Sequence, residues 1–539
     1  MLQYLSKIIS MIISLSLILS VMSFCPTNLF ATDIFLAARE GSIDEVKILI
    51  KNKTDINQVD QYGKTPLMYA CSQGQKEVVQ LLIKHKANPK IKDNNGNTAL
   101  MYACLAGHTE VVKLLIKDKD SLNEANNAGA TPLILATLND FSQIVELLIS
   151  KKANLDLRDK RGYTALMYAS INSSLAIVGL LVENKASIDV ENNDKMTAFL
   201  LAARNGNLEV VKYLALKGAD INTRNADGIN ALIACSALGN LETVQYLVEV
   251  LRVDVNSKDN KGNNALMASV AFMYADIIKN LVDHVNELLT EDDSEKFSYI
   301  KNAKAHSKDI TQYLLDKGAY INNANNNGYN TFMIAIAEND IEMAYYLISK
   351  GANINQVDIN GNNALLISAE TSNMNAFSFL VNLGMDINVS NNDGKTALMF
   401  AIENANFDMI NLLMSKNDIN VKKSDKDGKS ALMYATEVGY IKFIKDLLNK
   451  KADVNDIDVK GNTPLMYAVM AGNLGVVEAL VDLKADVSIK NKEGLTAQDL
   501  TKLYPENEKY IEINKYFQEL QNPQEKVTSK KKKNKTTTK

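Results

Sequence analysis

The chain has 539 residues, more than one hydrophobic core usually holds, so a single compact domain is excluded. Its net charge of −4 is uneven: Lys526–Lys539 carries seven Lys and no acidic residue, whereas residues 33–525 carry 51 basic and 63 acidic side chains. Such an acidic body argues against broad nucleic-acid binding, which needs Lys and Arg collected on one face. The composition lacks Trp and is rich in Lys, Asn and Ile, which suggests an AT-rich, bacterial genome.

Residues 1–31 have the order of a signal peptide. Lys7 is followed by an apolar run over 8–24, and a region of small residues then leads to Ala31. Cleavage after Ala31, or after Ser23, would release an exported protein. The alternative is an uncleaved membrane anchor, since about 17 apolar residues can barely span a bilayer.

From residue 33 onward the chain repeats itself with a period of about 33 residues. The repeated word is GKTPLMYA at Gly63, GNTALMYA at Gly96, GATPLILA at Gly129, GYTALMYA at Gly162, GKTALMFA at Gly394 and GNTPLMYA at Gly461. In each word, Gly predicts a turn that needs a positive φ, and the following Thr predicts a helix N-cap. A second apolar stripe at helical spacing follows each word, so each period predicts two helices.

A 33-residue period with a T-P-L-x-x-A word resembles the ankyrin-repeat family over residues 33–520. The resemblance implies an all-α ankyrin-repeat solenoid of about 15 helix-turn-helix units with short β-hairpin fingers. Because two short helices cannot bury their apolar faces alone, stability is expected to be shared between neighbouring repeats. The resemblance also implies binding of a partner protein.

The regular repeats predict an N-terminal lobe over 32–292 and a C-terminal lobe over 326–520. The intervening sequence is irregular, because Glu291–Glu295 stands where a glycine turn is expected. Residues 260–325 nevertheless measure two repeat lengths. We interpret them as two repeats, of which 293–325 is a degenerate repeat.

Residues 521–539 are rich in Pro, Lys and Thr and poor in apolar residues, which predicts disorder. The simplest expectation is a solvated segment without a further role. The alternative is that Lys526–Lys539 is attracted to an anionic membrane surface. An acidic array would be repelled by the same surface, so the segment would act as a tether.

In nine repeats the position that ends the second helix holds Gly or Lys, which predicts a left-handed conformation there. The glycines are Gly218, Gly318, Gly351 and Gly384, and the lysines are Lys86, Lys152, Lys185, Lys451 and Lys484. A Met-Tyr pair replaces the residues that usually follow T-P-L in the family. This Met-Tyr stripe is expected to pack between repeats rather than to form a ligand site.

No group of residues in the sequence indicates catalysis, a metal or a cofactor. Cys71, Cys104 and Cys235 share one repeat position, which favours small buried side chains over disulfides, because neighbouring repeats hold that position too far apart. The four His residues are scattered and no CxxC occurs, so no metal site is predicted. The Gly-Lys-Thr words at Gly63 and Gly394 lack the first glycine of a phosphate loop. We therefore expect a non-enzymatic protein without a cofactor.

The finger tips and the inner helix face vary between repeats while the frame stays fixed, so these positions are the candidates for partner contacts. Drift at exposed positions explains the variation equally well. The candidates are Gln61, Tyr62, Lys64, Asn94, Asn95, Asn97, Leu105, Lys160, Arg161, Tyr163, Tyr329, Lys426, Asp427 and Lys429. The expected partner is a protein of unknown identity, and the array is expected to be monomeric.

Overall fold

The computed structural model describes residues 33–116, 119–271, 306–503 and 505–521. The predicted signal peptide and the Lys-rich segment lie outside the described residues. The chain divides into two compact units, Met1–Tyr320 and Ile321–Lys539, and each is described by itself. They are called the N-terminal unit and the C-terminal unit below.

Each regular repeat consists of a finger, a first helix and a second helix. The finger is the turn that precedes the first helix, such as Asp93–Thr98. In the N-terminal unit the first helices are Ile34–Glu40, Pro66–Ser72, Ala99–Leu105, Pro132–Leu138, Ala165–Ile171, Ala198–Arg204, Ala231–Ala237 and Ala265–Val270. The second helices are Ile43–Lys51, Lys76–Lys84, Thr109–Leu115, Ser142–Ser150, Leu175–Glu183, Leu208–Leu216, Leu241–Glu249 and a helix over 306–316, with an additional short helix at Lys119–Asn123.

The C-terminal unit continues the same alternation. Its first helices are Thr331–Ala337, Ala364–Glu370, Ala397–Glu403, Ala431–Val438, Pro464–Met470 and Ala497–Thr501. Its second helices are Ile341–Ser349, Met374–Asn382, Phe407–Ser415, Ile441–Asn449, Leu474–Asp482 and Glu508–Gln521. The all-α repeat fold expected from the sequence is therefore confirmed.

The first helices begin where the repeated word predicts. Thr98 has an extended backbone, and its hydroxyl accepts a hydrogen bond from the N–H of Met101 at 3.4 Å. The Met101 Sδ in turn accepts from the Thr98 N–H at 3.5 Å, so the methionine of the word helps to cap the helix. Pro66 stands at the start of its helix, where a missing N–H costs nothing.

The core lies between the helices of each repeat and of its neighbours. In the repeat beginning at residue 94, Leu100 and Ala103 of the first helix are buried, as are Val111, Val112 and Leu115 of the second. The first helix packs against the first helices on both sides. Burial of this kind depends on neighbours, which makes stability a property of the array.

In the described residues, the fingers are hydrogen-bonded turns with isolated β-bridges instead of regular strands. The bridges join Lys258 to Asn264, Val357 to Asn363, Ser390 to Thr396 and Ser424 to Ser430. The expected β-hairpin fingers are thus present in a minimal form, since each spans too few residues for an extended ladder.

The predicted left-handed residues after the second helices are confirmed. The lysines at this position have φ between 68° and 72°, and the glycines have φ between 85° and 90°. A non-glycine residue in this conformation carries strain of about 1 kcal/mol. No atom lies within 4 Å of a Cβ built on Gly218, so the strain comes from the backbone and not from crowding.

We expect Lys152→Gly to raise the urea midpoint of unfolding slightly, because Lys152 has a φ of 69°. The gain is below about 1 kcal/mol, since glycine also gains entropy in the unfolded chain. Lys151→Gly is the matched control, because Lys151 has a φ of −88° and no strain to lose. A lower midpoint for Lys152→Gly would contradict this account.

The irregular stretch differs from the expected pair of repeats. In the regular repeats, an Asn or Asp side chain accepts a hydrogen bond from the backbone N–H of a residue in the next repeat, 31 or 32 positions ahead. Asn57 accepts in this way from the N–H of Asn88 at 2.8 Å, and Asn388 from that of Asn420 at 2.7 Å. Asn256 instead accepts from the N–H of Tyr320, 64 residues ahead, at 2.9 Å. Lys317 likewise forms an ion pair with Glu249 at 2.9 Å.

Contacts inside this repeat agree with that observation. Ser269 of the first helix and Thr311 join their hydroxyl groups at 2.8 Å, and the Ser307 hydroxyl donates to the Ser269 carbonyl oxygen. The helix over 306–316 therefore fills the place of the second helix in the repeat beginning at residue 260. This arrangement differs from a separate degenerate repeat over 293–325. The boundaries of the two lobes stay predictions, because residues 272–305 lie outside the described residues.

A distance measurement can separate the two arrangements. Spin labels at positions 249 and 317 should lie one repeat apart, about 10 Å between helix axes, as against about 20 Å if a further repeat intervenes. Glu183 and Lys217, which form the equivalent ion pair at 2.6 Å, supply the one-repeat control. Labels at Glu183 and Val250 supply the two-repeat control. A distance that matches this second control would restore the two-repeat interpretation.

Candidate functional site

Each finger is held by one acidic or amide side chain at its base. Asp93 Oδ1 accepts the N–H groups of Asn95 at 2.9 Å and Asn97 at 2.7 Å, and Asp93 Oδ2 accepts the hydroxyl of Tyr102 at 2.6 Å. The Asp93 carbonyl oxygen also accepts the N–H of Gly96 at 2.9 Å. One carboxylate therefore joins the finger to the first helix of the same repeat.

The identity of this base residue varies together with the residue nine positions later. Five fingers have Asp with Tyr at that place: Asp60 with Tyr69, Asp93 with Tyr102, Asp159 with Tyr168, Asp425 with Tyr434 and Asp458 with Tyr467. Six others have Asn without Tyr: Asn126 with Leu135, Asn192 with Leu201, Asn225 with Ala234, Asn325 with Ile334, Asn391 with Phe400 and Asn491 with Leu500. In the remaining two of these fingers, Asp259 and Asp358 accept instead from Asn263 at 3.1 Å and Asn362 at 3.4 Å.

Neighbouring fingers are joined by side-chain amides. The Asn94 N–H donates to the Tyr62 carbonyl oxygen at 3.0 Å, and Asn94 Nδ2 donates to the Gln61 carbonyl oxygen at 3.1 Å. The next finger repeats the bond, from Asn127 Nδ2 to the Asn94 carbonyl oxygen at 2.9 Å. This close approach requires Gly63, since a Cβ there would lie 2.8 Å from the Asn94 nitrogen and φ is 76°.

Lysine side chains cover the tyrosine rings of the first helices. Lys64 Nζ lies 5.7 Å from the centroid of the Tyr69 ring and 5.0 Å from that of the next repeat, Tyr102. Lys429 Nζ lies 4.1 Å from the Tyr434 centroid and 5.0 Å from the Tyr467 centroid. Such cation–π contacts stabilise the ring position and connect two repeats. The rings thus lie beneath lysines at the surface, and the expected packing between repeats is only part of their role.

The structure leaves eight of the fourteen predicted contact residues exposed at finger tips. Tyr62, the largest of them, is 55% exposed. The exposed set is Gln61, Tyr62, Asn94, Asn95, Lys160, Arg161, Lys426 and Asp427. Three of these also make contacts within the array: Asn94 through its amide, Lys426 through an ion pair with Asp393 at 2.7 Å, and Arg161 through its guanidinium group, 5.7 Å from the Tyr163 ring centroid.

The other six candidates are half-buried. Asn97 accepts from Asn126 Nδ2 at 2.9 Å, and Lys429 forms an ion pair with Glu437. The half-buried set is Lys64, Asn97, Leu105, Tyr163, Tyr329 and Lys429. Lys64, Asn97 and Lys429 are therefore occupied by contacts within the array, and none of the fourteen is yet tested as a partner contact.

Sequence reasoning missed a row of glutamates in the C-terminal unit. Glu370, Glu403 and Glu437 end or nearly end three successive first helices at the same repeat position, and Glu338 follows the preceding first helix. Lys395 Nζ reaches Glu403 Oε2 at 2.8 Å, eight residues away, and Lys429 reaches Glu437 in the same way. The sequence shows this row as Glu at intervals of 33 and 34 residues, from Glu370 to Glu403 and from Glu403 to Glu437.

Alkaline pH should weaken the array through these tyrosines. Burial, then the hydrogen bond to Asp93 and its charge, raises the pKa of Tyr102 far above the ordinary value near 10. The pKa values of Tyr69, Tyr168, Tyr434 and Tyr467 are raised for the same reasons. Because the folded state holds these protons more tightly, the stabilisation is complete below about pH 10 and is lost as the pH rises further.

We therefore expect the urea midpoint to fall steadily above about pH 10. Tyr102→Phe should lower the midpoint at neutral pH but flatten this fall, since it removes one proton that the folded state retains. Tyr62→Phe is the control, because that side chain is exposed and no hydrogen bond of its hydroxyl is seen among the described residues. An identical alkaline slope in all three proteins would contradict the assignment.

Two further properties concern the described residues only. Cys71, Cys104 and Cys235 are free and buried, as expected, and burial raises the pKa of each thiol. Among these residues, no group of three or more His, Cys, Asp and Glu side chains could hold a metal ion. None of the helices described has both the length and the apolar character needed to cross a membrane.

Comparison with protein families agrees with this geometry. A model of three ankyrin repeats matches residues 34–127, 117–194, 199–293, 287–358, 332–425 and 419–491. The chain therefore belongs to the ankyrin-repeat family. Ankyrin repeats generally mediate protein–protein interaction, and proteins built from them are typically non-enzymatic scaffolds. No curated protein matches the chain.

Proposed function

We propose that the chain is an exported scaffold that binds a partner protein through its finger tips and the adjoining face of the first helices. The observation that carries the proposal is the separation of two sets of side chains. The polar atoms of base residues such as Asp93 form hydrogen bonds within the repeat, whereas the side chains of Tyr62, Asn95 and Lys160 are exposed at the finger tips. Their identities can change without loss of the frame, as a recognition surface requires.

Photo-crosslinking tests the proposed surface. A photoreactive residue at Tyr62, Asn95 or Lys160 should capture one partner, whereas the same residue at Leu216 should capture none. Leu216 is a suitable control because it is 81% exposed but lies on a second helix. Equal capture at Leu216 and at the finger tips would overturn the proposed surface.

The export part of the proposal rests on the order of residues in 1–31. N-terminal sequencing of the protein recovered outside the cytoplasm should find a start at Thr32, or at Phe24 if cleavage follows Ser23. An intact leader on membrane-bound protein would favour the alternative, a structural protein anchored by that leader. Protein that stays in the cytoplasm would contradict both.

A second form of the alternative uses Lys526–Lys539 as a membrane tether. Its seven lysines would be attracted to anionic lipid at about 1 kcal/mol each near the surface, while the acidic array is repelled. Co-sedimentation with anionic vesicles should then depend on these lysines and weaken as salt screens the charges. Equal recovery after replacing Lys530–Lys533 by Gln would remove the tether from consideration.

A further inference from the structure

The last residue of a first helix lies close to the finger of its own repeat, as the ion pair of Lys395 with Glu403 shows at 2.8 Å. In five successive repeats of the N-terminal unit this position holds Leu105, Leu138, Ile171, Arg204 and Ala237. All five side chains are half-buried. Arg204 is therefore a cation within an apolar row.

The guanidinium group of Arg204 is held at one end only. Its Nε donates to Asn205 Oδ1 at 3.3 Å, and Asn205 Nδ2 donates to the Ile171 carbonyl oxygen at 3.5 Å. Within the described residues, Nη1 and Nη2 of Arg204 have no acceptor and no ion-pair partner. Neither atom is among the buried polar atoms of these residues, so solvent reaches both. The fork formed by the two terminal amino groups is accessible to a ligand.

Two other arginines of the same unit show how the repeats use this side chain structurally. Arg158 Nε donates to a carbonyl oxygen of the finger that follows it, at 3.1 Å. Arg224 Nη1 donates to the carbonyl oxygens of Gly228 and Lys258, each at 2.7 Å. Both guanidinium groups therefore fix fingers. Arg204 makes no such bond in the part of the chain that is described, so the repeat fold does not account for its charge.

A buried amide near the same place also lacks an acceptor. Asn192 is 3% exposed, and its Oδ1 accepts two N–H groups of its own finger. Asn126 is bonded in the same way, and its Nδ2 donates to Asn97, 29 residues earlier, at 2.9 Å. The residue 29 positions before Asn192 is Tyr163, and Asn192 Nδ2 has no partner among the residues described. A buried N–H dipole therefore points toward Tyr163 without an acceptor.

Arg204 lies beside the same tyrosine and is not neutralised there. Burial lowers the pKa of its guanidinium group, and Tyr163 and the charge of Asp194 oppose this effect. Asp194 is exposed at a finger tip and forms no ion pair with Arg204 in the described residues. The cation and the unpaired amide N–H thus contribute potentials of the same sign near Tyr163. An anion is the ligand that this arrangement favours.

We propose that Arg204 binds the carboxylate of an Asp or Glu side chain that stands in an otherwise apolar segment of the partner protein. The proposal rests on the proposed function and names the chemistry of its partner. A planar carboxylate accepts from Nη1 and Nη2 together, the geometry that a guanidinium fork matches. Apolar neighbours of the acidic residue pack on Ile171 and Ala237, one repeat away on either side. A phosphate dianion fits less well, because its second charge would remain unpaired in an apolar row.

Arginine-selective NMR of the full chain tests the site, because six arginines give six Nε–H signals. Arg204→Leu assigns the signal and keeps the fold, since Leu105 and Leu138 hold the same position in other repeats. We expect butyrate to shift the Arg204 signal to saturation and butyramide, its uncharged analogue, to leave it unchanged. Affinity should rise about fourfold for each methylene from acetate to butyrate, as apolar area is buried.

Three results of this titration would overturn the site. The first is a signal of Arg204 that does not saturate with butyrate. The second is an equal shift of exposed Arg161, which would indicate general charge attraction. The third is tighter binding of methyl phosphate than of butyrate, which would make the ligand a phosphate.

Crosslinking from Lys160, on the finger of the preceding repeat, connects the site with the partner. Arg204→Leu should lower the yield of crosslinked partner at least about tenfold, as expected for loss of a charge-assisted hydrogen bond. Arg204→Lys keeps the charge but not the fork, so its yield should be intermediate. Lys151→Gln is the control for overall charge, since Lys151 is exposed at the end of a second helix.

The outcomes of crosslinking separate this inference from the proposed function. An unchanged yield in Arg204→Leu would overturn the assignment of Arg204 and leave the proposed surface intact, as would equal losses in Arg204→Leu and Lys151→Gln. Absence of any captured partner at the finger tips would contradict the proposed function, whatever butyrate does at Arg204.

Discussion

Asp93→Ala is expected to lower the free energy of unfolding by about 3 to 5 kcal/mol, measured by urea unfolding at neutral pH. The carboxylate accepts three hydrogen bonds, two from finger N–H groups and one from the Tyr102 hydroxyl. Hydrogen bonds to a charged group contribute about 1.5 to 3 kcal/mol each, and removal of the acceptor leaves the donors unsatisfied. The loss of the acceptor costs most at the Tyr102 hydroxyl, since this residue is only 5% exposed.

The chain supplies its own matched control for this experiment. Asn126 with Leu135, like Asn192 with Leu201, shows that an amide base residue works when the tyrosine is absent. The double variant Asp93→Asn, Tyr102→Leu should therefore lose clearly less stability than Asp93→Ala. Equal losses in both would mean that the Asp–Tyr bond contributes little and that the finger depends on Asp93 for another reason.

The repeat fold of this protein could be predicted because its turn and cap residues recur in many repeats. A Thr before an apolar helix predicts a cap, and a Gly before that Thr predicts a positive φ, whatever the neighbours are. The left-handed lysines after the second helices followed from alignment with Gly218 and its equivalents. These are local effects, so repetition of the sequence was sufficient to locate them.

The irregular stretch could not be assigned from length alone. Residues 260–325 measure two repeat lengths, so the repeat period alone predicts two consecutive repeats there. The decisive contacts, Asn256 with Tyr320 and Glu249 with Lys317, connect residues more than 60 positions apart. Side-chain pairing across that separation is a tertiary property, which the repeat period does not encode.

Candidate contact residues were predicted from variation, and variation does not distinguish free side chains from occupied ones. The positions of Asn94 and Lys429 vary between repeats, yet Asn94 bonds the neighbouring finger and Lys429 covers two tyrosine rings. The row of Glu370, Glu403 and Glu437 became visible only by comparing the ends of successive first helices. The sequence does contain residue pairs that predict these contacts, at intervals of four, eight and nine positions within a repeat. Variation between repeats does not reveal such pairs.

Phe199→Ala is expected to cost about 3 to 5 kcal/mol, because it empties a fully buried ring position. Phe199 lies on the first helix Ala198–Arg204, which packs against the first helices of both neighbouring repeats. A cavity there weakens two repeat interfaces at once. Since a repeat array is stabilised through nearest neighbours, the N-terminal unit should lose cooperativity at this point. Hydrogen exchange should then show earlier exchange of amides in the repeats on both sides.

Phe199→Leu is the matched control, because Leu166 and Leu232 hold the same position in the adjacent repeats. The smaller side chain keeps the helix–helix contact that its neighbours make, so the loss should stay below about 1.5 kcal/mol. Both variants should leave exchange in the C-terminal unit unchanged, since effects decay along an array of nearest-neighbour contacts. If Phe199→Leu were as damaging as Phe199→Ala, the position would depend on ring shape, and the equivalence of these repeats in the core would be wrong.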